Sequence, residues 1–597
     1  MPLCFVFGWG WEGSYSLGMK ILVSRRACGG GVIRCAGWGV IAGVMVSMFG
    51  VGASVASAQG VKIEEQAGLP VGVVAATRAD LARAYVSLER ALVAAEASGG
   101  VEEAELALLQ KRFDDATVLF FSGQGDRAMR KLHALQRRID GLQPDLADDA
   151  QAPQAMDERV LRLLSDSLSV KFEKPVTTFA SEEACSVQIR SMYVLGGEAD
   201  KGASAEEAWA FEKQSKHELE LGVTKLDDDE VLWKQSVMVS VVPGKAISTR
   251  VELVGLREAL AGMLADDEHH TLAVGFVREE TGELVRESTR ITIGPSLLST
   301  VRARVDERVD KLAPLDETAL DAAQLEKMNA MRLIARERAT ALSDTPGEFS
   351  SSDFLQDLGA LAKSLEEDEL PALETDQEPY AHRVGEWVMP FVVQGKNQPG
   401  AQVIECRVYA PPQAAGQVKL PVVIALHGAG GDSAMWLHAY GAGKLKELAD
   451  RHGFVIVSPS TYSIALKTSL VEDLLTQVSW MYAVDEKRVS IIGHSLGAQA
   501  AVSAAWARPG VFAGCVALAG GRPPMRASTK GVPTLVVLGG QDPIMPAKEL
   551  AEQWNQASNK RGVDVQVKVV ASGGHTLLVT TELDQSIEWL MGKVGGR

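Results

Sequence analysis

Ser495 stands at the centre of Gly493-His494-Ser495-Leu496-Gly497, between an apolar run, Arg488-Val489-Ser490-Ile491-Ile492, and a helix-like run over 498–507. Strand, sharp turn and helix with a serine at the tip describe a strained elbow that holds a hydroxyl out over the end of a sheet. A serine hydroxyl is a poor nucleophile at neutral pH. It needs a base to take its proton and a carboxylate to orient that base. Two residues of those types follow late strand-like runs. Asp542 stands in Gly539-Gly540-Gln541-Asp542-Pro543 after the run 534–538, and His575 stands in Gly573-Gly574-His575 after 565–570. The chain has ten histidines, and no other follows a late strand. Such a set suits acyl transfer to water. The oxyanion that develops needs amide donors. His427-Gly428-Ala429-Gly430-Gly431, directly after the apolar run 420–426, offers the Ala429 amide, and Leu496 supplies the second. The bland alternatives are a tight turn at Ser495, a turn residue before Pro543 at Asp542, and a surface histidine at 575.

The neighbours of these residues read differently. Adjacent side chains diverge, so His494 is a packing or substrate-side neighbour rather than a base. His427 braces the oxyanion loop. Asp485 caps a turn. Trp436 and Tyr440, on the stretch 434–442 beside that loop, are candidates for lining a substrate site, with core packing as the alternative.

Positioning these groups requires a sheet whose strands end together. Strand-like runs fall at 384–393, 403–409, 420–426, 454–457, 488–492, 515–518, 534–538 and 565–570, with helical stretches between the later ones. The run 420–426 is continuously apolar, as a buried parallel strand should be. The pattern predicts an α/β fold with an eight-stranded, mostly parallel sheet over residues 380–597. Upstream, helical spacing of Leu81, Tyr85, Leu88 and Leu92, and of Met129, Leu132, Leu135 and Ile139, predicts a helical region over 59–169. Short β-rich runs at 237–242, 272–277 and 290–293, separated by turn signals, predict a small β-rich domain over 170–295. Helix returns over 296–379, ending in an acidic, loop-like linker at 366–378.

The combination of Leu426-His427-Gly428-Ala429-Gly430-Gly431, Gly453-Phe454-Val455-Ile456-Val457-Ser458-Pro459, Val484-Asp485-Glu486-Lys487-Arg488-Val489 and the serine elbow resembles an α/β-hydrolase catalytic domain. The order Ser, Asp, His along the chain is the order of that superfamily. Within it, residues 380–597 are similar to secreted polyhydroxybutyrate-depolymerase, feruloyl-esterase and dienelactone-hydrolase-like esterases. Peptidases of the prolyl-oligopeptidase type share much of the layout. The one departure is Ala498-Gln499, where many relatives have paired glycines. The resemblance implies a Ser495–His575–Asp542 triad and an acyl-enzyme, with no metal or organic cofactor. The catalytic motifs do not separate esterase from peptidase, although the N-terminal region lacks a propeller-length repeat. A third reading is a non-catalytic adhesion or polymer-binding protein on a hydrolase scaffold. Residues 59–370 resemble no nameable family.

The chain has 597 residues, more than one core fills. A net charge of -17 excludes a polyanion partner, since phosphate backbones are held by dense Lys and Arg. A small-molecule or polymeric ester is the expected substrate. Lys20, Arg25, Arg26 and Arg34 form a basic region, residues 36–58 carry no charge, and Ala56-Ser57-Ala58 precedes Gln59. This reads as an export signal over 1–58 starting at Met19, which places the protein in the periplasm or outside the cell. An uncleaved anchor is the alternative. Cys4, Cys28 and Cys35 fall in that segment. Cys185, Cys406 and Cys515 are too few and too scattered for a disulfide framework or a metal site. Asp266-Asp267-Glu268-His269-His270 and Asp227-Asp228-Asp229-Glu230 read as solvated turns, because consecutive side chains point apart and lack ligand spacing.

Overall fold

The computed structural model describes residues 73–595, apart from 75, 100, 142–152, 174–184, 197–213, 227–229, 266, 279–280, 316–317, 319, 345–355, 395–400 and 525–530. The expected export signal lies outside the described residues. So do Asp266 and residues 227–229 of the two acidic clusters. No described helix is long and apolar enough to cross a membrane.

The described residues fall in one compact unit. Helices α1 (Arg78–Gly99), α2 (Glu103–Phe121), α3 (Gly125–Ile139) and α4 (Pro153–Ser167) come first. α3 forms because Met129, Leu132 and Leu135 repeat at helical spacing and are all buried. Strands β1 (Leu168–Phe172), β2 (Ser186–Ser191), β3 (Ser215–Lys225), β4 (Val231–Val241), β5 (Ser248–Glu252), β6 (His270–Val277) and β7 (Leu284–Ile293) follow. They make two antiparallel sheets, ordered β1-β2-β5 and β4-β3-β6-β7. Inward-facing Val170, Ile189, Leu221 and Val274 belong to one buried cluster.

Helices α5 (Leu298–Asp310) and α6 (Ala322–Ala339) lead towards the C-terminal sheet. Asp321 caps α6, accepting from the Gln324 amide while the Gln324 side chain accepts from the Asp321 amide. The acidic stretch after them corrects the expectation of a loop-like linker. α7 (Leu358–Lys363) runs through a π-helical turn, Ser364–Glu369, into α8 (Leu370–Glu374). Leu365, Leu370 and Leu373 are buried on its inner face. Glu369, fully buried, pairs with Arg338 at 3.0 Å and Arg383 at 3.2 Å and accepts from the Tyr380 hydroxyl at 2.8 Å. The charge density conceals this apolar face in the sequence.

The C-terminal sheet contains β8 (Gly385–Val388), β11 (Cys406–Ala410), β12 (Leu420–Leu426), β13 (Val455–Pro459), β14 (Val484–His494), β15 (Gly514–Leu518), β16 (Thr534–Gly539) and β17 (Val565–Val570). Its order is β17-β16-β15-β14-β12-β13-β11-β8, with β11 antiparallel to both neighbours and the other pairs parallel. This is the eight-stranded, mostly parallel sheet that the sequence predicts. Two expected strands are corrected. The run 384–393 divides at Met389-Pro390 into β8 and β9 (Phe391–Gln394), and 403–409 divides at Glu405 into β10 (Ala401–Ile404) and β11. β9 and β10 pair only with each other.

β12 is buried along its whole length, and its alternation serves two faces. Val423 and Ala425 join a cluster with Leu445 and Leu448 of α9 (Lys444–His452), Leu583 and Ile587 of α14 (Leu578–Gly595), and Leu88 and Leu92 of α1. Val422, Ile424 and Leu426 join a second cluster with Leu474 and Val478 of α11 (Leu470–Met481) and Ala501 and Ala505 of α12 (Leu496–Ala507). The N-terminal helices therefore share a core with one face of the hydrolase sheet. Helices α10 (Thr461–Leu466) and α13 (Ala547–Arg561) complete the α/β alternation.

Candidate active site

β14 ends and α12 begins at Ser495, whose backbone takes φ 53° and ψ -111°. A non-glycine residue holds such a conformation only where its surroundings over-determine it. Here the chain must turn within one residue. A Cβ on Gly493 would lie 2.1 Å from the Gly497 carbonyl oxygen, and one on Gly497 would lie 2.1 Å from that of Leu426. Both glycines are therefore close-approach positions. The Ser495 amide is anchored on the Leu518 carbonyl at 2.9 Å, and the side chain stays partly exposed.

The loops after β16 and β17 bring Asp542 and His575 to this tip. His575 Nε2 lies 3.0 Å from Ser495 Oγ, and its Nδ1 lies 2.8 Å from Asp542 Oδ2. The other carboxylate oxygen of Asp542 accepts from the amides of Ile544 at 2.8 Å and Met545 at 2.9 Å. The histidine and aspartate side chains are only 5% and 0% exposed. Asp542 is thus held from both sides and can fix one imidazole tautomer, with the proton on Nδ1 and Nε2 facing the serine.

The loop after β12 is held by side chains as well as by its own turn, in which the Gly431 amide donates to the Gly428 carbonyl at 3.2 Å. His427 Nε2 accepts from the Thr461 amide at 3.0 Å, so its Nδ1 carries the proton and donates to the Gly428 carbonyl at 2.9 Å. Burial pushes the His427 imidazole down, which keeps it neutral. The Gly430 amide donates to the Tyr462 hydroxyl at 2.8 Å. Ala429 lies between these anchors, partly exposed. Leu496, the first residue of α12, has an amide with no intrahelical acceptor and adds the positive end of a helix dipole. Gly431 is also a close-approach position, where a Cβ would lie 2.8 Å from Met435.

Trp436 and Tyr440 correct an expectation. They are 0% and 1% exposed, packed edge to face with ring centroids 4.8 Å apart, inside the cluster beneath the sheet. Neither lines a substrate surface. An aromatic residue on a glycine-rich stretch gives no sign in sequence of which side of the stretch it takes. Tyr440 instead braces the site. Its hydroxyl accepts from the Gly428 amide at 3.2 Å and donates to His494 Nδ1 at 2.8 Å. His494 Nε2–H then donates to the His575 carbonyl at 3.1 Å. A buried relay thus joins the loop after β12 to the loop after β17. Burial holds the His494 imidazole well below its usual range, as a neutral donor and acceptor.

Sequence reasoning missed a further set, from the first two helices. Asp114 Oδ2 accepts from the His575 amide at 2.8 Å, and Oδ1 faces the Thr576 amide at 3.4 Å. Gln110 Oε1 accepts from the Gly574 amide. Glu89 accepts from the Thr580 hydroxyl at 2.6 Å and the Gly441 amide at 3.3 Å. Arg78 donates to the Gly430 carbonyl, and a Cβ on Gly430 would come within 3.1 Å of the Phe120 ring. The available signal was Gln110 and Asp114, four residues apart on the same face as Leu109 and Phe113. Polar groups in an apolar helical stripe need partners elsewhere.

Among the described residues, no three His, Cys, Asp or Glu side chains cluster as metal ligands would. His269 is occupied with the Ser296 carbonyl at 2.9 Å.

Residues 460–586, which hold Ser495, Asp542 and His575, match the model of the dienelactone hydrolase family. No curated protein sequence matches the chain. Among solved structures, it is similar to a thermostable esterase at 19% identity and a TM-score of 0.29, covering 34% of this chain and 62% of that one. It is also similar to an S-formylglutathione hydrolase from Agrobacterium tumefaciens, at 18% identity and a TM-score of 0.30, covering 36% of this chain and 97% of that one. A third is a CE1 ferulic acid esterase from the anaerobic fungus Anaeromyces mucronatus, at 14% identity and a TM-score of 0.30, covering 35% of this chain and 92% of that one. The chain thus spans less than two thirds of the first of these.

Proposed function

We propose that this chain, a serine hydrolase of the α/β-hydrolase fold, is an exported enzyme that cleaves carboxylic esters through Ser495, His575 and Asp542. The observation that carries the reading is the unbroken line from Ser495 Oγ to His575 Nε2, 3.0 Å, and from His575 Nδ1 to Asp542, 2.8 Å. His575 takes the hydroxyl proton as Ser495 attacks the ester carbonyl. The amides of Ala429 and Leu496 receive the oxyanion, a contribution of about 3 kcal/mol per donor in comparable sites. His575 then passes the proton to the leaving alcohol, and an acyl-serine remains. Water, deprotonated by the same imidazole, releases the acid and restores the enzyme. Asp542 keeps the imidazole in one tautomer and offsets the charge it acquires.

Preference for esters over amides is supported by the family matched at 460–586, whose name denotes hydrolysis of a lactone, a cyclic ester. The prolyl-oligopeptidase alternative would favour a propeller before the catalytic domain. Among the described residues, 168–293 form two small antiparallel sheets instead. Export rests on the basic segment, the uncharged stretch 36–58 and the small residues before Gln59.

The test treats the protein and its Ser495→Ala variant with a fluorophosphonate probe, alongside p-nitrophenyl esters of increasing acyl length and proline-containing amides. Labelling and ester turnover that both vanish in the variant are expected. Hydrolysis at the wild-type rate by Ser495→Ala would refute the triad, and an amide preference would favour the peptidase. An N-terminus beginning at Gln59 in protein recovered from the periplasm or medium would support export.

A further inference from the structure

The loop that carries His575 has few internal restraints. Gly573 and Gly574 precede the histidine; the Gly573 amide turns back on the Val570 carbonyl at 3.0 Å, and the fixed points on Gly574 and His575 come from elsewhere in the chain. Two lie on α2. Gln110 accepts from the Gly574 amide, and Asp114 accepts from the His575 amide at 2.8 Å with its second oxygen towards Thr576. Both side chains are 1% exposed. The approach is close enough that a Cβ on Gly574 would lie 2.4 Å from Asp114 Oδ2. The carboxylate is therefore fitted to this backbone. The same pair of helices reaches the opposite side of the site, where Arg78 holds the Gly430 carbonyl and Phe120 lies against Gly430.

We propose that Asp114, aided by Gln110, is a positioning residue for His575, so that the first two helices are a working part of the hydrolytic site. The inference rests on the triad reading above. Asp114 touches no reacting atom. It fixes the backbone from which the imidazole hangs, and the direction of Nε2 towards Ser495 depends on that backbone. The His494 bond to the His575 carbonyl restrains the other end of the same residue. With the Asp114 bond gone, the His575 carbonyl keeps His494 and the imidazole keeps Asp542, but the His575 amide loses its anchor and the backbone that carries the ring can shift. A misplacement of about 1 Å in such a site costs on the order of 100-fold in rate.

The experiment uses the full chain and compares wild type, Asp114→Ala, Asp114→Asn and Gln110→Ala. Turnover of p-nitrophenyl acetate and the rate of fluorophosphonate labelling are measured, with the thermal midpoint as a folding control. Asp114→Ala is expected to lose about 30- to 100-fold in kcat and in labelling rate with KM changed less than about threefold. Asp114→Asn keeps one carbonyl oxygen for the His575 amide and should recover most of that loss. Gln110→Ala should lower kcat by several-fold and carries the test should Asp114→Ala not fold. Wild-type kcat in a folded Asp114→Ala or in Gln110→Ala, a loss confined to KM, or an Asn variant no better than Ala would each overturn the proposal. Wild-type protein that neither labels nor turns over the ester would instead bring down the triad reading.

Discussion

Asp114 is held at a cost in stability that pH should reveal. Burial is the largest influence on its carboxyl and raises it from the ordinary 3.8 to about 6. Asp542 nearby pushes the same way, while the His575 and Thr576 amides and the His575 side chain act against it. The folded value lies above the unfolded one. The protonated form is therefore the stabilised one, its advantage complete below pH 3.8 and lost as pH rises through 6. A difference from 3.8 to about 6 corresponds to roughly 3 kcal/mol lost between those limits. Asp114→Asn resembles the protonated carboxyl at every pH, so it should match wild type near pH 3.5 and exceed it by about 3 kcal/mol above pH 7. For a unit of roughly 530 residues the unfolding entropy is about 1.1 kcal/mol per kelvin, so the midpoint should rise by about 3 °C. Chemical or thermal unfolding of both proteins from pH 3.5 to 8 gives the difference directly, because the other carboxylates cancel. A difference that does not change with pH, or a variant that falls behind as pH rises, would refute the reasoning. A gain in stability alongside a modest loss of turnover would mark the carboxylate as kept for function.

Tyr440→Phe removes the hydroxyl that links the Gly428 amide to His494, leaving a buried donor and acceptor unpaired. It should cost about 2 kcal/mol by denaturant unfolding and lower kcat by roughly tenfold. Gly497→Ala places a methyl group 2.1 Å from the Leu426 carbonyl oxygen. It should either fail to fold or lose activity on the order of 1,000-fold, as probe labelling would report. Glu369→Gln leaves Arg338 and Arg383 without their buried counter-charge. It should destabilise by about 3 to 5 kcal/mol in calorimetry, with kcat unchanged in protein that remains folded.

The hydrolase sheet was legible because its signals are local. Each parallel strand is a short apolar run, and the turn at Ser495 is written in five consecutive residues. Asp542 and His575 could be picked out because each follows a strand and sits beside glycines. The rest depended on contacts that spacing does not encode. Trp436 and Tyr440 looked like pocket aromatics, yet they turn inward to fill the space beneath β12. Glu366, Glu367 and Asp368 made a packed helical turn look like a linker, because the buried leucines, Leu365, Leu370 and Leu373, lie only on either side of the charges. Met389-Pro390 separates two strands that read as one. Asp114 stood out only as a polar group in an apolar helical stripe, and its role was hidden for a different reason: its partner lies 461 residues away.

That separation has a consequence for how the protein comes into being. Bringing together groups 461 residues apart costs on the order of 5 kcal/mol in chain entropy before any contact repays it. A chain emerging in sequence holds the first helices long before the residues they clasp exist. Until β17 and its following loop have folded, α2 has nothing to grip, and a partly made chain has a serine elbow without an oriented base. Hydrolytic competence would then arrive late and abruptly, when the earliest and latest segments dock, and so report on completed folding of the whole unit.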